Sequence, residues 1–131
     1  MSELDISTAF PKFEEKKSYE ELVLFHAGKV LDKISHKTIS DWEDDENLQD
    51  AVCMRLFAMA EALKKYYAEH PEVHQEYQGI PWKEIIRFRD KVGHDYANVL
   101  TRIVWEIASE QLWPLYQIFS KIVSDKSRPG E

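Results

Sequence analysis

Apolar residues recur every three to four positions along most of this chain, and this spacing constrains the fold more than any other feature. Over residues 18–36 the apolar positions are Val23, Ala27, Val30, Leu31 and Ile34. Over residues 47–67 they are Leu48, Val52, Leu56, Met59, Leu63 and Tyr66. Since this period matches one face of an α-helix, both segments are predicted to be amphipathic helices with one buried side. The pair Ser18 and Glu21 is typical of a capping box at the start of the first helix.

The remaining segments also favour helices. The turn at Gly79-Ile80-Pro81-Trp82 predicts a third helix that starts near Pro81. A fourth is expected around residues 99–107, and Trp113-Pro114 is interpreted as the restart of a fifth. No segment shows the alternation of a strand. The predicted fold class is therefore all-α, an antiparallel up-and-down bundle of about five helices over residues 18–124. A flexible N-terminal arm over 1–17 and a frayed tail over 125–131 are expected on either side.

Metal and disulfide chemistry is not predicted. Cys53 is the only cysteine, which excludes an intrachain disulfide and a cysteine-based zinc site, and it is interpreted as a packed thiol. His70 and His74 stand four residues apart, but Pro71 lies between them and a surface loop is favoured. The acidic run from Asp41 to Glu46 lacks the glycine and the spacing of a calcium loop. It is expected to offset the partial positive charge at the start of the next helix. No cofactor is expected.

Composition limits the possible partners. Hydrophobic residues make up 44% of the chain and charged residues 31%, as in ordinary folded domains. No apolar run approaches the roughly 18 residues of a membrane span, and no targeting signal is recognised, so a cytoplasmic location without a membrane partner is expected. The net charge of −7 disfavours general nucleic-acid binding, so any RNA-binding surface must be local. Residues 83–102 carry a small positive excess, and the candidate RNA contacts there are Lys83, Arg87 and Lys91.

The residues with a chemical signature lie between Arg89 and Tyr96. RNA is cut without a metal when its own 2′-OH attacks the adjacent phosphorus, a reaction that needs proton transfer and a fixed positive charge. His94 suits the first role, because an imidazole titrates near neutral pH. Arg89 suits the second, because its guanidinium stays charged and its planar fork matches phosphate oxygens. Asp90 is a candidate to orient either side chain.

Helix geometry limits how these residues can meet. On an unbroken helix Arg89 and His94 would point about 140° apart, whereas Arg89 and Tyr96 would share a face. Gly93 can adopt a left-handed conformation, so it is expected to end the helix and let His94 turn back towards Arg89.

The spacing Arg89-x4-His94-x-Tyr96 resembles the R-x4-H-x-Y motif of HEPN domains, specifically that of the HepT toxins that pair with minimal nucleotidyltransferases. The surrounding segments are similar as well, over roughly residues 18–124. They are Gln49-Asp50-Ala51-Val52, Ala60-Glu61-Ala62, Ile80-Pro81-Trp82-Lys83-Glu84-Ile85-Ile86 and Ile103-Val104-Trp105.

The resemblance implies a five-helix bundle that acts as a metal-independent ribonuclease, usually as a twofold dimer in which two motifs face each other. Arg89 and His94 would be the catalytic pair, with Asp90 assisting. It further implies control by a nucleotidyltransferase antitoxin that transfers AMP from ATP to Tyr96. The added anion would compete with RNA phosphate.

Two features leave alternatives open. Asp90 replaces the commoner Asn of the family, and Asp95 lies between His94 and Tyr96, so both carboxylates would repel phosphate unless they turn towards Arg89 or Lys91. Besides the RNase toxin, the sequence allows an inactive HEPN-like binding module that partners a nucleotidyltransferase or binds nucleotides. It also allows a structural bundle in which the motif charges form a solvated ion-pair cluster.

Overall fold

The computed structural model describes residues 17–126, and these are almost entirely helical. The α-helices of the described residues are α1 Tyr19–Ile34, α2 Ile39–Glu43, α3 Glu46–Glu69, α4 Glu72–Glu76, α5 Trp82–Asp95, α6 Thr101–Glu106 and α7 Leu112–Lys126. A 3-10 turn, Tyr96–Asn98, follows α5, and a π-helical turn, Ile107–Gln111, joins α6 to α7. The predicted all-α bundle is confirmed. The predicted arm over 1–17 and tail over 125–131 lie largely outside the described residues, and the domain limits stay predictions.

The two apolar stripes form the centre of the bundle. Helix α1 packs against α3 and α7, and α5 packs on another side of α3. Most stripe residues are buried as predicted, while Leu31, Ile34 and Leu48 pack against the edge of the core. Ser18 and Glu21 form the predicted capping box, and His36, in the left-handed conformation with φ 62°, follows the end of α1. The Cys53 thiol is buried as expected, and burial followed by the nearby Asp50 raises its pKa to about 11.

Helix α2 was not predicted from the sequence. The acidic connection forms a short helix that begins with a capping box of Thr38 and Asp41. Its Trp42 is fully buried, and the indole Nε1–H donates a hydrogen bond to the carbonyl oxygen of Thr101 at 3.1 Å. Five residues are too few to show helical periodicity. The interpretation of the acids just before α3 is confirmed at Asp45, whose Oδ1 accepts from the Leu48 N–H at 2.9 Å.

Two predicted helix breaks were wrong. Gly93 lies within α5, which continues to Asp95, so the glycine does not turn His94 back towards Arg89. The chain is also helical across Pro114, with no restart at this residue. A proline ring collides with the carbonyl four residues earlier in a regular α-helix. The π-helical turn just before α7 widens the backbone at that point and accommodates the ring.

The segment with His70 and His74 is more ordered than the predicted loop. His74 lies in α4, and both imidazoles contact aromatic rings. The His70 ring stacks on that of Tyr66, with 4.5 Å between the ring centroids. Within residues 17–126, no helix is long and apolar enough to cross a membrane, and no cluster of His, Cys, Asp and Glu side chains could hold a metal ion.

Candidate active site

Arg89 lies on the side of α5 that faces α3, and two carboxylates hold it there. Its Nε–H donates to Glu61 of α3, and Nη1 donates to Asp90 at 2.8 Å. Nη2 makes no hydrogen bond to another side chain of residues 17–126. The hydrogen bonds with Glu61 and Asp90 raise the pKa of Arg89 above its usual value, so the guanidinium stays charged. This geometry fixes the direction of the guanidinium and leaves one nitrogen for a phosphate.

His94 lies on the opposite, exposed side of α5. Its ring makes no hydrogen bond within the described part of the chain. Because α5 is continuous, His94 sits one turn after Asp90 and points about 140° away from Arg89. The predicted meeting of Arg89 and His94 within one chain is therefore not observed.

Asp90 lies beside both motif residues. The hydrogen bond from Arg89 is the largest influence that lowers the pKa of this carboxyl group, with smaller effects from the charges of Lys64 and His94. Asp95 accepts hydrogen bonds from Asn98 at 2.9 and 3.0 Å and pairs with Lys91 at 3.4 Å. Hydrogen bonding from Asn98 and then Lys91 lowers the pKa of Asp95. The carboxylates of Asp90 and Asp95 thus both turn towards cations. In this arrangement, on the sequence-based expectation, they do not repel an approaching phosphate.

The three predicted RNA contacts share the exposed side of α5 with His94. Lys83, Arg87 and Lys91 follow one another at successive helical turns, and all three side chains are exposed. These residues form a positive stripe on an acidic protein. An RNA phosphate that contacts the stripe would lie next to the His94 imidazole.

Tyr96 is the first residue of the 3-10 turn, and 42% of its surface is exposed. Its hydroxyl donates a hydrogen bond to Asp50 Oδ1 of α3 at 2.5 Å. This hydrogen bond, followed by partial burial, raises the pKa of Tyr96 to about 12. Tyr96 and Arg89 therefore both contact α3, with Gly93 between them on α5 and facing the ring of Phe57.

Two depressions flank this region. A pocket of about 510 Å³ opens beside Tyr96 and includes Asp50, Glu46 and other acidic side chains. An apolar groove of about 580 Å³ runs between α5 and α6, along Phe88, Leu100 and Ile103. Leu100 is 69% exposed and Ile103 45% exposed, so the groove presents large apolar side chains at the surface.

Sequence reasoning missed the two acids on α3 that contact the motif. In the sequence, Glu61 and Asp50 stand out only as members of two segments that resemble the family. These segments are Ala60-Glu61-Ala62 and Gln49-Asp50-Ala51-Val52. Both acids follow the helical spacing of one side of α3, at positions 50, 57 and 61, and that spacing marks a shared face. Which helix this face contacts depends on packing between distant segments, which the spacing does not specify.

Comparison with known proteins identifies the family of the chain. The family model described as "Ribonuclease HepT-like" matches residues 24–122, and the chain belongs to this family. A relative from Caldanaerobacter subterraneus subsp. tengcongensis whose name includes "RNase" is 31% identical over 94 residues, covering 72% of this chain and 81% of the relative. "Probable ribonuclease HepT" from Thermococcus cleftensis is 34% identical over 82 residues, covering 63% of this chain and 72% of the relative. No solved structure matches the chain significantly.

Proposed function

We propose that the protein is a metal-independent endoribonuclease toxin of a toxin–antitoxin pair. The observation that carries this proposal is the arrangement of the motif on α5. One guanidinium nitrogen of Arg89 is not engaged by other side chains of residues 17–126, and His94 is exposed at the end of a positive stripe. Membership of the HepT-like ribonuclease family supports the same reaction. Access to cellular RNA fits the cytoplasmic location expected from the sequence.

In this reaction the ribose 2′-OH of RNA attacks the adjacent phosphorus and the bond to the 5′ oxygen breaks. The products are a 2′,3′-cyclic phosphate and a 5′-hydroxyl end. His94 transfers protons to or from the reacting oxygens, and Arg89 stabilises the extra negative charge of the transition state. Asp90 is a positioning residue for Arg89. Lys83, Arg87 and Lys91 bind the flanking phosphates.

The active form is proposed to be a twofold homodimer. Within one chain Arg89 and His94 point about 140° apart, so a second copy is needed to bring the two kinds of side chain to one phosphate. The α5–α6 groove is the proposed contact surface, because it exposes Leu100 and Ile103 and is lined by Arg87 and Lys91 of the positive stripe. A second copy in this groove would place the two stripes next to each other.

Replacing Leu100 with glutamate tests the dimer. The charge is expected to turn a dimer into a monomer in sedimentation experiments and to abolish RNA cleavage. Trp113→Glu is the matched control, because Trp113 is 53% exposed on α7 and does not line the groove. A Leu100→Glu protein that stays dimeric would show that the groove is not the contact surface.

Control by a nucleotidyltransferase antitoxin is proposed to act at Tyr96. The Tyr96 hydroxyl lies at the surface, on the residue that follows α5, so a partner enzyme can reach it. Transfer of AMP from ATP would add a bulky anion close to Arg89 and His94, where it competes with RNA for the same charges.

The catalytic role is tested by comparing His94→Ala and Arg89→Ala with His36→Asn, a change at an exposed histidine on another part of the surface. The first two variants are expected to lose cleavage, while His36→Asn keeps it.

A second candidate function is an inactive binding module. The observation that favours it is the pair of carboxylates that bind Arg89. Tight binding of a nucleotidyltransferase without any RNA cleavage by the unmodified wild-type chain would favour that second function.

A further inference from the structure

We infer that Asp50 is the general base that removes the Tyr96 hydroxyl proton during nucleotidyl transfer, an inference that rests on the proposed modification of Tyr96. In this view the toxin supplies part of the machinery for its own silencing. The partner enzyme supplies the nucleoside triphosphate and the groups that bind it.

The geometry of the pair carries the inference. The Tyr96 hydroxyl donates its hydrogen bond to Oδ1 of Asp50 at 2.5 Å, so the proton already points at the carboxylate. The two residues are 46 positions apart in sequence, and the packing of α5 on α3 brings them together. Asp50 is exposed and Tyr96 is 42% exposed, so this bond contributes little to the stability of the fold.

A phenol at this position needs such a base. Because the pKa of Tyr96 is raised to about 12, the hydroxyl is protonated near neutral pH and is a weak nucleophile. A base within hydrogen-bond distance can take the proton as the new bond forms, which avoids a free tyrosinate. Cys53 is also close, but its thiol is buried with a pKa of about 11 and accepts no hydrogen bond from Tyr96.

The Tyr96 oxygen attacks the α-phosphorus of a nucleoside triphosphate and forms a phosphodiester bond. The bond between the α-phosphorus and the oxygen that bridges to the β-phosphorus breaks, and pyrophosphate leaves. The hydroxyl proton passes to Asp50, which later releases it to water.

The charge of the pocket next to the pair indicates that the nucleotide has to be delivered by the partner enzyme. The pocket's 510 Å³ volume is open to an incoming α-phosphate, but its rim carries Glu43, Asp44 and Glu46 in addition to Asp50. This negative charge repels a nucleoside triphosphate that arrives alone. We therefore expect no labelling with ATP and Mg²⁺ in the absence of the nucleotidyltransferase.

The test measures transfer of label from α-³²P-ATP to the full chain by a minimal nucleotidyltransferase, with mass spectrometry to locate the modified residue. Asp50→Asn retains the shape of the side chain but removes the base. Its rate constant for transfer is expected to fall by roughly 10²-fold or more, with little change in the KM for the protein. The rate of the variant should also increase steadily with pH, since hydroxide must replace the missing base.

Two controls separate proton transfer from charge and from folding. Glu46→Gln removes one negative charge from the same pocket without touching the Tyr96 hydroxyl, and it should change the rate by less than about threefold. Tyr96→Phe should accept no label. Circular dichroism and thermal unfolding show whether each variant is folded.

The outcomes distinguish this inference from the proposed function. Rapid labelling of Asp50→Asn, or an equal loss in Glu46→Gln, would refute the role of Asp50 and leave the modification of Tyr96 intact. If the wild-type chain accepts no label at Tyr96 from an active nucleotidyltransferase, both the modification and the role of Asp50 are refuted, while RNA cleavage is judged by its own assay.

Discussion

Replacing Gly93 with alanine should stabilise the protein, although Gly93 lies inside the motif that runs from Arg89 to Tyr96. Gly93 is helical and exposed within α5, and a Cβ atom built there lies 3.8 Å from Phe57 Cε2, an ordinary contact distance. Glycine inside a helix costs about 0.5–1 kcal/mol relative to alanine. The variant should gain about that much in free energy of unfolding, and its melting temperature should increase by roughly 2–5 °C.

The assay is urea and thermal unfolding of wild type and Gly93→Ala. Lys64 lies at an exposed position within α3. The variants Lys64→Ala and Lys64→Gly therefore calibrate how much alanine gains over glycine in a helix, and their free energies of unfolding should differ by about 1 kcal/mol in favour of alanine. A left-handed Gly93 at the end of a helix would give the opposite sign, since alanine would then cost about 1–2 kcal/mol. A destabilised Gly93→Ala would therefore refute the continuous helix and restore the sequence-based expectation that His94 turns back.

Three further changes test the fold and the site. Trp42→Ala should cost about 3–5 kcal/mol in chemical unfolding, because it empties a fully buried position, and a loss below about 1 kcal/mol would contradict that packing. Lys126→Met should cost about 1 kcal/mol near pH 7, because it removes the 2.7 Å partner of the Glu20 carboxylate. Burial raises the pKa of Glu20, but hydrogen bonds from Lys126 and Ser18 lower it by more, so the pKa is lowered overall. The stability lost in Lys126→Met should therefore shrink as the pH falls below about 4.5, because Glu20 then takes up a proton. An unchanged loss in acid would refute the pairing. Glu61→Gln should lower the kcat for RNA cleavage about tenfold or more with little effect on KM, because Glu61 positions Arg89, and unchanged kcat would show that this contact is dispensable.

The helices that bury a long apolar face could be predicted from the sequence because their signal is local. The stripes of α1 and α3, the capping box at Ser18 and the acidic start of α3 all follow from spacing within a few residues. The errors concern residues whose local preference is overruled by packing. Gly93 and Pro114 both favour helix breaks, yet α5 continues through the first and a π-helical turn accommodates the second. Trp42 is a core residue whose indole N–H donates to a carbonyl of α6, a partner distant in sequence that local spacing does not reveal.

The candidate site could be predicted only in part, for the same physical reason. The motif residues and the positive stripe could be singled out from the sequence, because α5 and the 3-10 turn that follows it carry them all. The acids that contact Arg89 and Tyr96 come from α3, which lies 28 and 46 positions away in sequence. Such pairings depend on how two helices pack, and helical periodicity does not specify that packing.

The most direct test of the proposed reaction uses a short DNA strand that contains a single ribonucleotide, incubated with the unmodified protein in EDTA. The proposed mechanism predicts one cut, immediately after the ribonucleotide, with a 2′,3′-cyclic phosphate on the upstream product. It predicts no cut when the 2′-OH is methylated or when His94 is replaced with alanine. Cleavage of the methylated strand, or cleavage that requires added metal ion, would contradict the 2′-OH attack on which the proposed function rests.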